Sequence, residues 1–292
     1  MDFTIWQLPV DEEAAIKFFQ DKGIIHKERL CTNNHQMKLS LNTTGTKAPS
    51  WRCRKCRQKK GLRTNTWFDG SRIPFLTAVR FIYLWCQELT SVDFCELQLQ
   101  MNHNSTVDWN KYMREICANA LISRPKVKIG GSSKVVEIDE IIFPQGKNVE
   151  RDLMPQNVFG GLCRETKECF LIVIPDCSVK TLMAAIVENV ADESTISSDC
   201  WKAYETIELR DAGYEHFINN HKYNFVDPDS RCHSQTVDEL WGSAKQRNKR
   251  QRGTARNQLG SYFVEFMWRS LYPKTEQFSA ILKDIFNFMP AF

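Results

Sequence analysis

The sequence lacks the features of a membrane, exported or disordered protein. No stretch approaches the ~18 apolar residues that a membrane helix needs, and charge interrupts the candidate at residues 81–86 within a few positions. The first residues are acidic and no small-residue cleavage site follows, so we expect no secretory signal. Repeats and low-complexity tracts are also missing, while 42% hydrophobic and 25% charged residues are ordinary for globular proteins. We expect an intracellular protein without membrane contact, nuclear if the host is eukaryotic.

A disulfide framework is not indicated either. The chain has 11 cysteines, an odd number. Several stand singly in apolar segments, as do Cys86, Cys95, Cys117 and Cys169. This distribution favours reduced thiols.

Strong net charge is absent, but the basic residues are clustered. The formal net charge is only +4, yet no acid occurs between Trp241 and Val264. We predict surfaces for a polyanion such as nucleic acid at two clusters: Arg52, Arg54, Lys55 and Arg57, and then Lys245, Arg247, Lys249, Arg250 and Arg252. The alternative for each cluster is a solvated surface.

Composition and periodicity divide the chain into three predicted regions. Residues 1–70 hold most of the closely spaced Cys and His residues, and residues 71–127 are helical. The helical region has a core-facing stripe from Phe75 to Cys86, a second helix at 92–101 and a third capped by Ser105 or Thr106. Short helices joined by a polar turn fit a helix-turn-helix, although a generic helical bundle has the same pattern.

Residues 128–292 read as an α/β domain. A β-branched strand at 134–143 precedes a hairpin formed by 157–163 and 169–175. A helix at 180–190 and a short strand at 195–199 follow. This order predicts a mixed sheet covered by helices.

Three carboxylates occupy telling positions in this α/β region. Asp139 lies within the first strand, Asp199 ends the fourth, and Asp238 begins a helix predicted at 236–245. Because a carboxylate in so apolar a strand is costly unless it is paired or binds a cation, we expect the three to converge on two divalent ions. The alternative is that Glu137 and Asp139 share the solvated face of a half-buried strand and that Asp199 caps the next helix.

The predicted helix offers two adjacent acids. Val237, Leu240, Trp241 and Ala244 form its apolar stripe. At about 100° per residue, Asp238 flanks this stripe whereas Glu239 faces away from it. Asp238 is therefore the candidate ligand.

Six ordered segments resemble the Merlin superfamily of cut-and-paste transposases and their insertion-sequence relatives. They extend over most of the chain and follow the family's order. They are VEIDE at 136–140, VFGG at 158–161, SSDCWKAY at 197–204, NHKYNFVDPD at 220–229, HSQTVDELW at 233–241 and FVEFMWR at 263–269.

The resemblance implies a ribonuclease H-like domain with a DDE-type triad at Asp139, Asp199 and Asp238. It further implies two Mg2+ or Mn2+ ions, double-stranded DNA partners (terminal inverted repeats and target DNA), and a homodimer or higher synaptic oligomer. The family usually has Glu where this chain has Asp238, and the basic, Tyr-containing stretch expected after Phe143 is replaced. The rival reading is a domesticated, catalytically inactive, transposase-derived DNA-binding protein; a nuclease without strand transfer is a third.

A zinc-ribbon-like site is predicted near the N-terminus. Cys53 and Cys56 have the spacing of one half of such a site, because a tight turn places both thiolates on one ion. In the resembling family a second upstream Cys would stand at Asn34, but here Cys31 is followed by His35. We expect Cys31, His35, Cys53 and Cys56 to bind structural Zn2+; the alternative is a degenerate ribbon without metal.

Overall fold

The computed structural model describes residues 4–41, 48–143, 156–199, 206–219, 240–242 and 258–291. The chain forms two compact units. The first unit comprises Met1–Ala120 and Tyr272–Phe292, and the second comprises Leu121–Leu271. The division of the sequence into three domains stays a prediction.

Both units contain helices and strands. The helices are α1 (Glu12–Asp21), α2 (Phe75–Cys86), α3 (Val92–Leu99), α4 (His103–Ile122), α5 (Val179–Asn189), α6 (Thr206–Asp211), α7 (Leu259–Ser270) and α8 (Gln277–Phe288). The strands are β1 (Lys38–Ser40), β2 (Ser50–Arg52), β3 (Lys59–Gly61), β4 (Ile129–Gly130), β5 (Val135–Phe143), β6 (Gln156–Cys163), β7 (Cys169–Ile174), β8 (Val190–Ala191), β9 (Thr195–Asp199) and β10 (Glu215–Asn219).

The core of the first unit is aromatic. Phe19 of α1 is fully buried, and its ring contacts the rings of Phe68 and Phe75 edge-on or tilted. Phe278 of α8 stacks on Phe18 and meets Tyr83 of α2 edge-on. Aromatic pairs of this kind contribute about 0.5–1.5 kcal/mol each beyond their buried area, so α8 is part of this core although it lies at the other end of the chain.

Helix α2 receives its N-terminal cap from α1. Pro74 precedes α2 and provides no side-chain cap. The Glu12 carboxylate instead accepts hydrogen bonds from the backbone N–H groups of Phe75 and Leu76, at 2.8 and 2.9 Å. A carboxylate at this end also interacts favourably with the helix dipole, so one side chain joins the two helices.

The turn between α3 and α4 differs in detail from the prediction. Helix α3 ends at Leu99, followed by Gln100 in the left-handed region with φ 53°. The Asn102 side chain accepts a hydrogen bond from Ser105 N–H at 2.8 Å. Asn102 therefore caps α4, and the expectation of a cap at Ser105 or Thr106 was wrong because the helix begins earlier than its apolar stripe.

The second unit contains a five-stranded mixed sheet in the order β10-β9-β5-β6-β7. Strands β5, β6 and β7 are antiparallel to one another. Strand β9 runs parallel to β5, and β10 runs parallel to β9. The predicted α/β architecture on a mixed sheet is confirmed, with β5, β7, α5 and β9 within one residue of their predicted ends.

Each face of this sheet has its own apolar core. One core includes Val136, Ile138 and Phe159 together with Leu182 and Ile186 of α5. The opposite core is formed by these residues: Val158, Leu162, Leu171, Leu240, Trp241, Leu259 and Phe263. Because side chains alternate along a strand, both faces of β5 and β6 are covered by helices.

In the described parts of the chain, no helix combines the length and the apolarity needed to cross a membrane.

Candidate functional site

Two groups of predicted site residues fall within the described residues, and the first is a Cys/His cluster. Cys31, His35, Cys53 and Cys56 each direct one ligand atom to a common point, and these atoms lie within 4.8 Å of one another. Cys53 Sγ and His35 Nδ1 are 3.8 Å apart. The sequence prediction that these four side chains come together is confirmed.

Two tight turns hold the ligands. Asn34 N–H donates to the Cys31 carbonyl at 3.0 Å, and His35 N–H donates to Cys31 Sγ at 3.3 Å. In the second turn, Cys56 N–H donates to Cys53 Sγ at 3.4 Å. Asn34 has φ 56°, a left-handed conformation that Asn tolerates better than most residues. The chain thus turns at Asn34 and presents the next side chain, His35, to the cluster.

Backbone hydrogen bonds favour the thiolate form of Cys53 and Cys31. The Cys56 N–H is the main cause that lowers the pKa of Cys53 to about 7, although burial opposes it. Burial likewise acts to raise the pKa of Cys31, but the N–H groups of His35 and Asn33 outweigh it and the pKa is lowered. At Cys56 the Gln58 N–H also acts to lower the pKa, but Cys53, burial and Cys31 outweigh it, and the pKa is raised. Thiolates are the form that binds metal.

The cluster fits a structural zinc ion. Bonds of about 2.0–2.3 Å in a tetrahedral site of three thiolates and one imidazole require donor atoms about 3.3–3.8 Å apart, and the Cys53–His35 separation meets this requirement. Such soft ligands also favour zinc over a hard cation. The donor set is therefore compatible with structural zinc.

The predicted basic residues surround this cluster. Arg52 ends β2, Arg54 and Lys55 lie between the two cysteines of the second turn, and Arg57 follows Cys56. All four are exposed. Their contact with DNA stays a prediction.

The second group lies on the sheet of the second unit, where Asp139 is half-buried on β5. Its Oδ1 accepts a hydrogen bond from Glu140 N–H at 2.8 Å. Strands β5 and β9 pair in parallel, with Glu137 opposite Ser197. Two residues further in the same direction, these neighbouring strands carry Asp139 and Asp199. The backbone register therefore places the two acids at matching positions.

Glu137 lies below Asp139 on the same face of β5 and is fully buried. It forms an ion pair with Arg164, which follows β6. A buried carboxylate needs such a partner. This burial is inconsistent with the alternative of a solvated face at Glu137. Arg164 was not predicted as the partner of Glu137. The available signal was its position directly after β6, the strand that pairs with β5.

A glycine on β6 brings a further helical segment to this face. Gly160 is the cross-strand partner of Asp139. A Cβ atom at Gly160 would lie 2.8 Å from the Trp241 ring, and Trp241 is only 3% exposed. Leu240, Trp241 and Gly242 are helical. The predicted burial of Leu240 and Trp241 is confirmed, and it places this segment over the partner of Asp139.

A Ser–His pair joins the strands next to Asp199. Ser198 Oγ lies 2.8 Å from Nε2 of His216 on β10. Burial, with a smaller contribution from the charge of Arg210, lowers the pKa of His216 below its usual value. The Ser198–His216 contact helps to hold β9 and the edge strand together.

Several predicted residues lie outside the described residues. They are Asp238, Lys245, Arg247, Lys249, Arg250 and Arg252. For Asp199 the structure describes the backbone within β9.

Comparisons with known proteins point to transposition. Residues 146–270 match the family model of the ISXO2-like transposase domain. An uncharacterised transposase-like protein of Haemophilus influenzae is 22% identical over 116 residues, which cover 40% of this chain and 91% of that protein. These matches support membership of a transposase family. They do not identify the Merlin superfamily in particular.

Solved structures of retroviral proteins also resemble part of the chain. A chain of the simian T-cell lymphotropic virus intasome, in complex with the PP2A regulatory subunit B56 gamma, matches with a TM-score of 0.33 and 12% identity over 50% of this chain. The match covers 51% of that intasome chain. The catalytic core domain of BIV integrase matches with a TM-score of 0.31 and 14% identity, covering 46% of this chain and 83% of its own. The HTLV-2 integrase core in complex with magnesium has the same TM-score with 6% identity, covering 49% and 86%.

Proposed function

We propose that the protein is a DDE-type DNA transposase whose second unit is a ribonuclease H-like catalytic domain. The observation that supports the proposal is the parallel register of β5 and β9, which pairs Glu137 with Ser197 two residues before Asp139 and Asp199. Three antiparallel strands continued by two strands parallel to the first support the ribonuclease H-like assignment. The transposase matches support the reaction class.

Asp238 is the proposed third acid, and its neighbours support this role. Trp241 packs over Gly160, the cross-strand partner of Asp139. Asp238 precedes Trp241 by three residues, about one helical turn. A helix that continued backwards from Trp241 would carry Asp238 near the face that holds Asp139.

The donor chemistry fits hard divalent cations. Carboxylate oxygens are the ligands that Mg2+ and Mn2+ prefer, and Asp139, Asp199 and Asp238 would hold them. Two such ions activate an attacking oxygen and stabilise the leaving oxygen of a phosphodiester. In our proposal, water first releases a 3′-hydroxyl at the element end, and this hydroxyl then attacks a target phosphate. A homodimer or larger assembly would hold the two ends together.

Buried groups around Asp139 would orient it. Glu137 and Arg164 form an ion pair on the same strand face, and removal of one member would leave an unpaired buried charge at a cost of about 3–5 kcal/mol. The apolar cover from Trp241 would limit water next to the acids. The Lys245–Arg252 segment follows the same helix in sequence and is the proposed contact for donor DNA.

The test is a cleavage assay with Mn2+ on labelled duplexes that carry the sequences flanking the coding locus. We expect Asp139→Asn to reduce strand cleavage by about 100-fold or more, because the amide lacks the charge that would bind a divalent ion, and even a slight loss of positioning of catalytic groups costs this much. Asp192→Asn is the matched control, since Asp192 is exposed on the same unit and pairs with Lys128. Cleavage by Asp139→Asn equal to that of the control would overturn the proposal.

The rival is a catalytically inactive, transposase-derived DNA-binding protein, which the short side chain of Asp238 favours. Wild-type protein that binds the duplexes but does not cut them, while Asp238→Glu gains cleavage, would support this rival. Cleaved products without joined molecules would instead indicate a nuclease that lacks strand transfer.

A further inference from the structure

Three cations lie in one row across the small sheet of the first unit. Lys38 of β1 pairs with Arg52 of β2, and Arg52 pairs with Lys59 of β3. All three side chains are exposed. Residues directly opposite one another in neighbouring strands project from the same face, so the three charges form a cationic row, defined by Lys38, Arg52 and Lys59.

Such a row is unfavourable unless an anion compensates it. Like charges directly opposite one another destabilise a sheet. In the described part of the chain, no ion pair includes any member of the cationic row. From Arg29 to Phe68 the sequence contains ten Lys or Arg residues and neither Asp nor Glu. The acid that precedes this stretch, Glu28, accepts a hydrogen bond from Gln36 at 3.4 Å, and among the described residues it forms no ion pair with the row.

The other face of the same sheet has a different role. Trp51, which is buried, lies there in register with Leu39 and Lys60. Lys60 Nζ donates to the carbonyl of Leu30 at 3.0 Å. One face thus packs against the protein, while the three side chains of the cationic row are exposed on the other face.

Arg57 adds a further exposed positive charge to this part of the chain. It follows the second turn of the cluster with φ 60°, in the left-handed region where Gly is the usual residue. A side chain in this conformation costs roughly 1–2 kcal/mol. Arg57 is exposed, so no burial of its side chain offsets this cost.

The span of the row suits a nucleic-acid backbone. Neighbouring strands lie about 4.8 Å apart, so three in-register positions span about 10 Å. One strand of B-DNA carries one charge per about 3.4 Å of helix axis. Because Lys and Arg side chains are long and flexible, the three charges can reach separate phosphates over such a span.

We propose that the cationic row, extended by Arg57, is a docking surface for the phosphate backbone of double-stranded DNA. The row supplies affinity and position without reading base sequence, because phosphates carry no sequence information. This inference rests on the proposed function for the identity of the polyanion and adds Lys38 and Lys59 to the predicted DNA-binding residues.

The test measures duplex binding by the zinc-loaded full-length chain, using fluorescence anisotropy at several salt concentrations without Mg2+ or Mn2+. The triple variant Lys38→Gln, Arg52→Gln and Lys59→Gln should lower the slope of log K against log salt by about 2.7, since each phosphate contact contributes about 0.9. The control triple variant changes Lys17, Arg80 and Lys283, three exposed residues of the same unit, to Gln. It removes the same charge and should lower the slope by much less.

The variant Arg57→Gly distinguishes an effect on stability from an effect on DNA binding. Because Gly accepts the left-handed conformation, we expect unchanged or higher stability together with a slope lowered by about 0.9. Equal slopes for the two triple variants would overturn the inference, and so would an effect seen on single-stranded DNA or RNA but not on duplex. Loss of cleavage in Asp139→Asn with an unchanged salt slope leaves this surface in place, so the two proposals fail separately.

Discussion

His35 shows how one residue changes the composition of a metal site without changing its position. In the resembling family a Cys would stand at Asn34, yet the structure has Asn34 in a left-handed turn and His35 in the cluster. His35 Nδ1 lies 3.8 Å from Cys53 Sγ, a separation suited to two ligands of one zinc ion. The imidazole thus takes the place that a fourth thiolate would have.

We expect His35→Ala to lose bound zinc and His35→Cys to keep it, because a set of four thiolates and a set of three thiolates with one imidazole both form closed tetrahedral sites. Zinc content after dialysis against a mild chelator measures the difference. His103→Ala, at an exposed position at the start of α4, is the control and should keep the metal. Full zinc content in His35→Ala would show that this histidine is not a ligand.

Among the elements, strand β6 contains two adjacent glycines, and each allows large side chains to pack closely on one face of the sheet. Gly160 faces Trp241 and Leu171, whereas Gly161 faces the Phe170 ring on the other side. A Cβ atom at either position would meet a neighbouring side chain closely. The glycines therefore admit large rings next to Asp139, and this contact sets how the segment after Asp238 packs.

Gly160→Ala should destabilise the second unit by about 1–3 kcal/mol, the usual cost of overpacking. Urea unfolding measures the change. Gly242→Ala is the control: among the described residues, no atom lies within 4 Å of its Cβ position, and Ala favours the helix by up to about 1 kcal/mol. In a Trp241→Ala background the penalty of Gly160→Ala should shrink. Strict additivity of the two changes would mean that Trp241 and Gly160 do not interact.

At the scale of the whole molecule, helix α8 returns to the first unit and completes its core. Phe278, Ile281, Leu282 and Ile285 of α8 are buried, and α8 contacts α2 through Phe278 and Tyr83. The segment that forms the second unit is therefore inserted between two parts of the first.

Ile281→Ala should cost about 2–5 kcal/mol through loss of buried surface and the cavity left behind. Hydrogen exchange should show faster exchange in α1 and α2, because these helices share the core with α8. Lys283→Ala changes an exposed residue of α8 and should leave the exchange of both helices unchanged. Unaltered protection of α2 in Ile281→Ala would contradict the assignment of α8 to the first unit.

The sequence by itself predicted helices α2 to α5, strands β5, β6, β7 and β9, and the types of the metal ligands. Alternation along β5 indicated that Glu137 and Asp139 share a face, and the Cys-x2-Cys spacing indicated one half of the metal cluster. These patterns are local, because a strand or a tight turn fixes the direction of side chains a few residues apart.

Only the tertiary structure decided which distant residues meet. The Glu137–Arg164 ion pair, the contact of Trp241 with Gly160, the cationic row and the return of α8 to the first unit all join segments that no periodicity links. The short strands β1 to β4, β8 and β10 were likewise not predicted, since two to five residues carry too little pattern. Pairing and packing over long sequence separations depend on the whole core, and this is why they became visible only in the folded chain.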